Sequence, residues 1–341
     1  MTRKGPATIQ DVAAAAGVSA AIVSRVLSGD TKLRVREETR RRVLDAATTL
    51  DYVPNHTAQA LRLASSGAIG LILHDVTNPL YAEILKGAHR AADQAGYVVL
   101  LVEADELGRK EATFRRILGS GRIDGALFQA GGFEDDAAIR RIAQRRLPTV
   151  LINSYSAAGT GSVVLDDVAA GAVAARHLLA LGHRDIGFVG GLTHSHQGRR
   201  RRRGVSLAMA EAGVRLRRRW TVEGGWNHEG GQRAFRTLLS REGRPTAIVV
   251  ANVMAAIGVL YEARALGVRI PEEASVIGIH DTWFAMHATP PLTTVRVPLA
   301  EMGRRSVLLL LEMLAGGAPR SIVVRDPLPA VAERGSTAAR G

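Results

Sequence analysis

The stretch TIQDVAAAAGVSAAIVSRVLSG, residues 8–29, decides how the chain begins to fold. Thr8 and Asp11 have the spacing of a capping box, in which each side chain accepts a hydrogen bond from a free backbone N–H group at the start of a helix. Gly17 interrupts the helical pattern with a turn, and Ser19 can cap a second helix beyond it. The stretch therefore predicts two short helices joined by a tight turn.

The second helix has two faces of different character. Val23, Val26 and Leu27 follow the i, i+3, i+4 spacing that collects apolar side chains on one side of a helix. The other side holds small and hydrogen-bonding residues, namely Ala20, Ala21, Ser24 and Arg25. Because apolar residues return at helical spacing over residues 37–50, a third helix is predicted, and it completes a compact three-helix unit.

A helical face of this kind suits the major groove of DNA. Small side chains let the helix approach base edges, Ser24 can donate a hydrogen bond to a phosphate, and the Arg25 guanidinium can bind guanine through two hydrogen bonds. Thr8 and Ser19, which start the two helices, are further candidate DNA contacts. An ordinary helical hairpin accounts for this stretch equally well, because short amphipathic helices are common.

Composition and charge restrict the function. The chain has 341 residues, 46% of them hydrophobic, which excludes disorder of the whole chain and suffices for more than one domain. Its 45 lysines and arginines against 32 aspartates and glutamates give a formal charge of +13, which suggests a polyanionic partner. Residues 1–65 carry +4 of this charge and residues 199–219 carry +8, so two basic segments hold nearly all of it.

The sequence contains no cysteine, which excludes a disulfide framework and thiolate zinc sites. Polar residues interrupt the N-terminal segment too early for a secretory signal, and no apolar run approaches the roughly 18 residues that span a bilayer. We therefore expect a soluble cytoplasmic protein.

From about residue 67 the sequence changes to short apolar runs separated by helical patterns. The runs are AIGLIL, YVVLLV, DGALFQ, TVLIN, DIGFVGG, AIVVAN and SVIGI. Strands that alternate with helices over more than two hundred residues predict parallel sheets covered by helices, and the length fits two such lobes. Pro54 ends the third helical pattern, and the Ser-Ser-Gly at 65–67 marks a joint before the first strand.

Seven motifs resemble, in sequence and in order, those of the LacI/GalR family of bacterial repressors. They are TIQDVAAAAGVSAAIVSRVLSG, ETRRRVLDAA, LDYVPN, IGLILHDVTNP, LALGHRDIGFVGG, RPTAIVVAN and PPLTTV. The resemblance covers residues 7 to about 327 and displaces the interpretation as a helical hairpin. It implies an all-α helix-turn-helix domain and a periplasmic-binding-protein-like α/β core of two parallel-sheet lobes that close around a small-molecule effector. It also implies a homodimer that binds double-stranded, pseudopalindromic operator DNA at the nucleoid.

The domain bounds follow from the resemblance and the pattern together. We predict the helix-turn-helix domain at 1–53, a hinge helix and linker at 54–66, the core at 67–335 and a tail at 336–341. Within the core, the N-lobe is expected at about 67–176 and 296–325, and the C-lobe at about 177–295 and 326–335. The tail has no heptad run, so no tetramerising helix is expected.

On DNA, the resemblance implies that Ala20, Ala21 and Arg25 occupy the base-contacting positions. It also implies that the linker folds on the operator and inserts a leucine into the minor groove, which places Leu61 at that position with Arg62 beside it. Without the family, Leu61 is an ordinary linker leucine.

The resemblance further implies an effector site built from both lobes. Its candidate residues are Tyr81, Asn153, Arg201, Trp226, Asn252 and His280. Without the resemblance, Tyr81 and Trp226 are explained as aromatic residues of the hydrophobic core. Without the resemblance, Arg201 is explained as one of five solvated arginines at 199–203. These five residues span more than one helical turn, so their side chains cannot all face one direction. The remaining arginines, with those at 217–219, are expected on a basic surface that attracts DNA nonspecifically.

Three positions at which the family often carries a carboxylate hold Asn153, Val253 and His280 here. Losing three acids while keeping Arg201 leaves the expected cleft more positive, and guanidinium and imidazolium groups suit carboxylates and phosphates. We therefore expect an acidic effector, such as a sugar acid, a sugar phosphate or a small carboxylate. The alternative is an effector bound by other residues.

An α/β enzyme and a periplasmic solute-binding protein are the competing functions. A dinucleotide-binding enzyme needs a glycine-rich loop after the first strand, and LILHDVTNPLYAE at 71–83 contains no glycine. A solute-binding protein would need a signal peptide and has no use for the three-helix unit. His194 and His196 have no companion ligands in sequence, so we expect no metal, no cofactor and no catalytic residue.

Overall fold

The computed structural model describes residues 7–27, 30, 33–52, 65–103, 121–129, 147–154, 159–192 and 195–340. The chain divides into two compact units, Met1–Ser66 and Gly67–Gly341, and the division falls at the end of the expected linker. Each unit is described separately.

The first unit contains the three expected helices, α1 (Ile9–Ala16), α2 (Ala20–Leu27) and α3 (Glu37–Thr49). The capping box forms, because the Asp11 amide donates to Thr8 Oγ1 at 3.3 Å and the Thr8 amide donates to Asp11 Oδ2 at 2.8 Å. Gly17 ends α1 at φ 65°, a left-handed conformation that glycine adopts without steric cost.

A small apolar core holds the three helices together. It consists of Val12, Ala13, Ala16, Val23, Val26, Val43 and Ala47. Val23 and Val26 are buried as their spacing predicts, so the other side of α2 is turned outward. Within the described ranges no single helix is long and apolar enough to span a membrane. Among pairs of described helices, α1 and α2 together have the length and composition of a membrane span, but their axes are bent by 102°.

The second unit alternates strands and helices. Its strands are β1 (Ala68–Leu73), β2 (Val98–Glu103), β3 (Gly125–Gln129), β4 (Thr149–Ile152), β5 (Gly161–Leu165), β6 (Ile186–Gly190), β7 (Thr221–Glu223), β8 (Ala247–Val250), β9 (Ser275–Ile279), β10 (Thr293–Arg296), β11 (Ser321–Val324) and β12 (Ala330–Ala332). Its helices are α4 (Leu80–Gln94), α5 (Asp167–Ala180), α6 (His196–Glu211), α7 (His228–Leu239), α8 (Val253–Ala265) and α9 (Leu299–Leu314). Short 3-10 helices lie at Arg218–Trp220 and Trp283–His287.

The described strands form two sheets, one in each lobe. The N-lobe sheet has the order β11-β5-β4-β3-β1-β2 and is parallel throughout. The C-lobe sheet has the order β12-β10-β9-β8-β6-β7 and is parallel except for β12, which runs antiparallel to β10. The first five strands of each lobe have the same order, which reverses beside the first strand. Such a reversal opens a crevice at the carboxyl ends of the strands, where ligands bind.

The chain crosses between the lobes earlier than expected. Helix α5 follows β5 of the N-lobe, yet it packs on α6 and on the C-lobe strands β8, β9, β10 and β12. The first N-lobe segment therefore ends near residue 166, and the predicted boundary at 176 is wrong by about ten residues. The sequence pattern of α5 fits a helix on either sheet, so only its packing shows where it belongs.

The segment predicted as a tail is part of the C-lobe. Ser336 is buried, accepts a hydrogen bond from the Thr293 amide at 2.8 Å and donates to the Val276 carbonyl at 2.6 Å. Further along, the Arg340 amide donates to the Leu181 carbonyl at 2.8 Å. The tail prediction is wrong because small polar residues satisfy backbone groups of the sheet, an interaction that leaves no apolar periodicity in the sequence.

Two glycines let α5 and α6 cross with their backbones in contact. A Cβ atom at Gly171 would lie 2.1 Å from the Arg201 carbonyl oxygen, and one at Gly204 would lie 2.0 Å from the Val168 carbonyl oxygen. Only glycine permits so close an approach. The crossing brings Arg201 of α6 beside Asp167 at the start of α5.

Candidate functional site

The outward face of α2 carries the side chains expected to meet DNA. Ala21 and Arg25 are exposed, whereas Ala20 and Ser24 are half-buried at the edges of the face. Ser19 and Thr8 are exposed at the two helix starts. The geometry presents a narrow strip of small residues with one cation, which can approach base edges closely.

Arg25 is paired with an acid that the sequence pattern did not single out. Its Nε donates to Asp30 Oδ2 at 2.8 Å, and the side chains of Arg25 and Asp30 are 45% and 29% exposed. An exposed ion pair of this kind contributes little to stability but fixes the direction of the guanidinium. Asp30 lies in the turn after α2, where no periodicity predicts the direction of a side chain.

Thr8 and Ser19 have structural roles that do not require DNA. The Thr8 hydroxyl also donates to Asp11 Oδ2 at 2.7 Å, and Ser19 Oγ accepts from the Ile22 amide at 3.4 Å. Leu61 and Arg62, expected in the minor groove, lie outside the described residues.

In the second unit, a cavity of about 430 Å³ lies between the two lobes. All six candidate effector residues line it: Tyr81, Asn153, Arg201, Trp226, Asn252 and His280. The cavity lies at the carboxyl ends of the strands, where the strand order predicts a ligand crevice. Their contact with an effector remains a prediction.

Asn153 and His280 occupy equivalent places in the two lobes. Each follows the fourth strand of its lobe, β4 or β9, and each has a positive φ, 58° for Asn153 and 79° for His280. Non-glycine residues adopt this conformation at a cost and are concentrated at functional sites. The surrounding fold therefore holds two polar side chains toward one cavity.

Both side chains keep a polar atom without a partner among the described residues. Asn153 Oδ1 and His280 Nδ1 are buried and make no hydrogen bond there. A buried polar atom without a partner costs free energy, which a ligand that pairs with it would recover. One polar atom on each of these two cavity-lining side chains is thus unpaired among the described residues.

All three guanidinium nitrogens of Arg201 donate hydrogen bonds within the protein. Nε donates to Asp167 Oδ1 at 2.8 Å, Nη1 donates to the Ala251 carbonyl at 2.5 Å, and Nη2 donates to His280 Nε2 at 2.9 Å. Arg201 is 1% exposed and Asp167 is 2% exposed. Burial raises the pKa of the Asp167 carboxyl, and the Arg201 guanidinium opposes that rise.

The same contact fixes the protonation of His280. Burial, reinforced by the Arg201 charge, holds the pKa of His280 well below its ordinary value. Arginine can only donate, so the neutral imidazole accepts at Nε2 and carries its proton on Nδ1. His280, whose side chain lines the cavity, therefore keeps an unpaired N–H donor at Nδ1 among the described residues.

The premise that Arg201 makes the cleft positive is wrong. Asp167 neutralises its charge, and Val253 is buried at the start of α8 and does not line the cavity. A second cation, Arg233 of α7, also lines the cavity; it is exposed and has no ion-pair partner among the described residues. On the N-lobe side the cavity is lined by the carboxylate of Asp75.

The two aromatic residues line the cavity from different lobes. Tyr81 Oη donates to Gln129 Oε1 at 2.8 Å, and burial followed by the Asp75 charge raises the pKa of Tyr81. Trp226 lies over Gly191, where a Cβ atom would be 2.3 Å from the indole ring. The indole can stack on a ligand ring, and Gly191 provides the space it needs.

Asn252 has a structural role at the cavity. It caps α8, because its Oδ1 accepts from the Ala255 amide at 2.8 Å and its Nδ2 donates to the Gly225 carbonyl at 3.0 Å. Removing it would affect the helix start as well as any ligand contact.

Besides Asp75, four further residues used in this description of the site were not predicted. They are Gln129, Asp167, Gln197 and Arg233. Gln129 and Asp167 lie at or just after the ends of strands, and this position is itself a signal for a cleft residue. Gln197 donates to the Asn153 carbonyl and joins the lobes, and neither it nor Arg233 carries a sequence signal. Among the described residues, no group of three or more side chains is arranged to hold a metal ion.

Comparisons with known proteins agree with this organisation. The model of bacterial regulatory proteins, lacI family, matches residues 8–55, and that of the periplasmic binding protein-like domain matches residues 175–337. The chain is 35% identical to the HTH-type transcriptional regulator DegA of Bacillus subtilis (strain 168), over 87% of this chain and 88% of DegA. It is 32% identical to the HTH-type transcriptional repressor PurR of Serratia proteamaculans (strain 568), over 97% of each chain.

A solved structure extends the similarity to the whole fold. The lac repressor dimer bound to operator and the anti-inducer ONPF superimposes with a TM-score of 0.78 and 27% identity. The match covers 98% of this chain and 100% of that chain.

Proposed function

Because the chain belongs to the LacI family of bacterial regulatory proteins, it is a transcriptional regulator and not an enzyme, and we propose that it represses transcription as an operator-bound homodimer. The observation that carries the proposal is the exposed strip on α2, where Arg25 lies beside Ala21 on a helix whose other face is buried. Each subunit contacts one half-site of a pseudopalindromic operator in the bacterial cytoplasm, at the nucleoid.

Base discrimination depends mainly on Arg25. Its guanidinium binds a guanine in the major groove, and Ala20 and Ala21 make apolar contacts with thymine methyl groups. Ser24, Thr8 and Ser19 contact phosphates, which positions the helix without specifying sequence. Leu61 and Arg62 enter the minor groove from the linker, as the family resemblance implies.

Exposed apolar side chains on the second unit support the homodimer. On the edge strand β2, Val98 and Leu101 are 61% and 48% exposed, and in the C-lobe Tyr261 and Trp283 are 64% and 70% exposed. Side chains of this kind are buried in permanent interfaces. The lac repressor that the chain resembles is itself a dimer on its operator.

The effector is a small polar molecule with an anionic group. Arg233 receives the anion, Asn153 Oδ1 accepts from a hydroxyl or amine, and His280 Nδ1 donates to an oxygen of the same molecule. Tyr81 and Trp226 bound its ring, and Asn252 and Arg201 hold the wall behind it. A sugar acid, sugar phosphate or small carboxylate fits this set, with Arg233 in the role first expected of Arg201.

Effector binding controls the operator through the lobes. A ligand that bridges Asn153 of one lobe and His280 of the other favours one arrangement of the lobes, and that arrangement determines the order of the linker at 54–66.

Calorimetry on the full-length protein tests the effector class. D-glucose, D-gluconate and D-glucose 6-phosphate form a series that differs in charge, and we expect an anionic member to bind while glucose does not. Arg233→Gln should weaken anion binding about tenfold, as for the loss of one charge-assisted contact. Arg264→Gln removes an exposed arginine of α8 that does not line the cavity and should have no effect. Binding of glucose alone would contradict the anionic class and leave the operator function untouched.

A further inference from the structure

The second basic segment of the sequence lines a pocket on the C-lobe. This basic pocket, of about 420 Å³, contains Arg199 and Arg202 of α6, Arg218 of a 3-10 helix, and Glu223 at the end of β7. Three guanidinium groups against one carboxylate leave it with a formal charge of +2. It adjoins a second pocket, whose lining includes Arg184, Arg215 and Arg217. Leu216 and Arg218 line both pockets.

The basic pocket gathers arginines that lie far apart in sequence. Some exposed arginines of the protein pair with carboxylates, as Arg176 does with Glu211 at 2.9 Å and Arg304 with Glu301 at 2.7 Å. Arg202 and Arg218 have no ion pair in the described part of the chain. Because Glu223 is the one carboxylate against three guanidinium groups in the pocket lining, gathering these like charges costs energy that a bound anion would recover.

The shape of the pocket favours a small molecule. Phe188, Leu216 and Val222 give its lining an apolar part, and the arginines come from two different elements. A volume of about 420 Å³ falls within the range of small-ligand sites. Guanidinium groups bind phosphate oxygens through paired hydrogen bonds, more specifically than lysines do.

We propose that the basic pocket binds a small phosphate-bearing molecule, at a site separate from the cleft between the lobes. The pocket is concave, whereas duplex DNA presents its phosphates on a convex surface, so a DNA-binding surface is the less suitable alternative. The proposal does not depend on which molecule occupies the cleft.

The site is placed to influence the cleft. Helix α6 lies between them, with Gln197 and Arg201 lining the cleft and Arg199 and Arg202 lining the basic pocket. The turn after β6 contributes Leu192 to both. A molecule bound in the basic pocket therefore contacts the same helix and turn that hold Arg201 in place.

Calorimetric titration of the full-length protein with inorganic pyrophosphate, at constant ionic strength, tests the proposal. We expect saturable binding at one site per chain, weakened about tenfold or more by Arg202→Gln and by Arg218→Gln. Arg203→Gln is the matched control, because it removes the same charge from the next residue of α6, which does not line the pocket. Arg202→Lys, which keeps the charge and loses the paired hydrogen bonds, should weaken binding to an intermediate degree.

Four results would overturn the proposal. The first two are an absence of saturable binding to the wild type, and equal weakening by Arg203→Gln and Arg202→Gln. The third is loss of pyrophosphate binding on Arg233→Gln instead, which would place the anion in the cleft. The fourth is an effect of Arg202→Gln and Arg218→Gln that is confined to the binding of nonspecific duplex DNA. Thermal unfolding of each variant checks its folding, and Arg202→Lys provides the test if a glutamine variant is unfolded.

Discussion

Two arginines of this protein, one in each unit, are bonded to an aspartate at the same distance and in opposite surroundings. Arg25 Nε lies 2.8 Å from Asp30 Oδ2 with both side chains partly exposed, and Arg201 Nε lies 2.8 Å from Asp167 Oδ1 with both buried. Water competes for the first pair and is excluded from the second. Arg25 can exchange its partner for DNA, whereas Arg201 serves as a fixed part of the cleft wall.

The difference bears on two assignments from sequence. Both arginines were expected to contact a ligand directly, and both contacts remain predictions. The exposed arginine is placed for such a contact, whereas the buried one donates to His280 Nε2, and His280 Nδ1 has no partner among the described residues. Arg233 is an exposed cation that lines the same cleft.

The largest expected effect comes from breaking the buried pair. Asp167→Asn leaves Arg201 buried without a counter-charge and should lower the free energy of unfolding by about 3–5 kcal/mol. Denaturant unfolding followed by tryptophan fluorescence measures it, since all three tryptophans lie in the second unit. A loss no greater than that of an exposed pair would show that the Arg201 charge does not need Asp167.

Operator recognition should depend on the exposed arginine. Arg25→Ala should cost about 1–3 kcal/mol of discrimination at one base pair in each half-site. Competition between operator variants and nonspecific duplex measures this cost. Arg42→Ala, an exposed arginine of α3, is the control and should weaken all sequences alike. Unchanged preference in Arg25→Ala would remove Arg25 from base recognition.

The buried network should also respond to pH. The folded state holds His280 neutral because its pKa is depressed, while the unfolded chain takes up a proton as the pH falls below the ordinary value of 6.5. Above pH 6.5 the neutral His280 therefore does not lower the free energy of unfolding. Below pH 6.5 that free energy declines by about 1.4 kcal/mol per pH unit. His280→Gln should remove this part of the acid sensitivity between pH 6.5 and 5.5.

The other histidines whose pKa values are lowered by burial do not confound that measurement. His177, His183 and His196 are present in both the wild type and His280→Gln, so their effects cancel in the comparison. Denaturant unfolding of both proteins between pH 6.5 and 5.5 measures the difference. A pH dependence that His280→Gln leaves unchanged would show that His280 is not the group held neutral.

The smallest effect is expected for the exposed pair. Asp30→Asn makes the same substitution as Asp167→Asn, but it should cost the first unit only about 0–1 kcal/mol, because water solvates Arg25 once the acid is gone. Thermal unfolding followed by circular dichroism measures this loss. A cost comparable to that of Asp167→Asn would mean that burial does not distinguish the two pairs.

How far the sequence predicts the fold depends on the distance over which a contact acts. The helices of the first unit follow from local spacing, through Thr8 with Asp11 and through Val23 with Val26. The strands of the core follow from their apolar runs. The pairing of Arg201 with Asp167 could not be predicted, because it requires α5 and α6 to cross at Gly171 and Gly204.

The candidate site divides in the same way. The family resemblance brought together six residues that line one cavity, but it gave no information on which of their atoms are already occupied. Asn252 is used as a helix cap, whereas Asn153 and His280, at positive φ after β4 and β9, each keep a polar atom that has no partner among the described residues. Hydrogen bonding between elements decides these roles, and it leaves no periodic signal.

Selection of bound duplexes from a random library by the full-length protein tests the central claim most directly. The account predicts enrichment of a two-fold symmetric sequence with two half-sites, and relaxed preference at one position in each half-site when Arg25→Ala is used instead. Enrichment of no symmetric sequence, or of the same sequence by the Arg25→Ala variant, would contradict it.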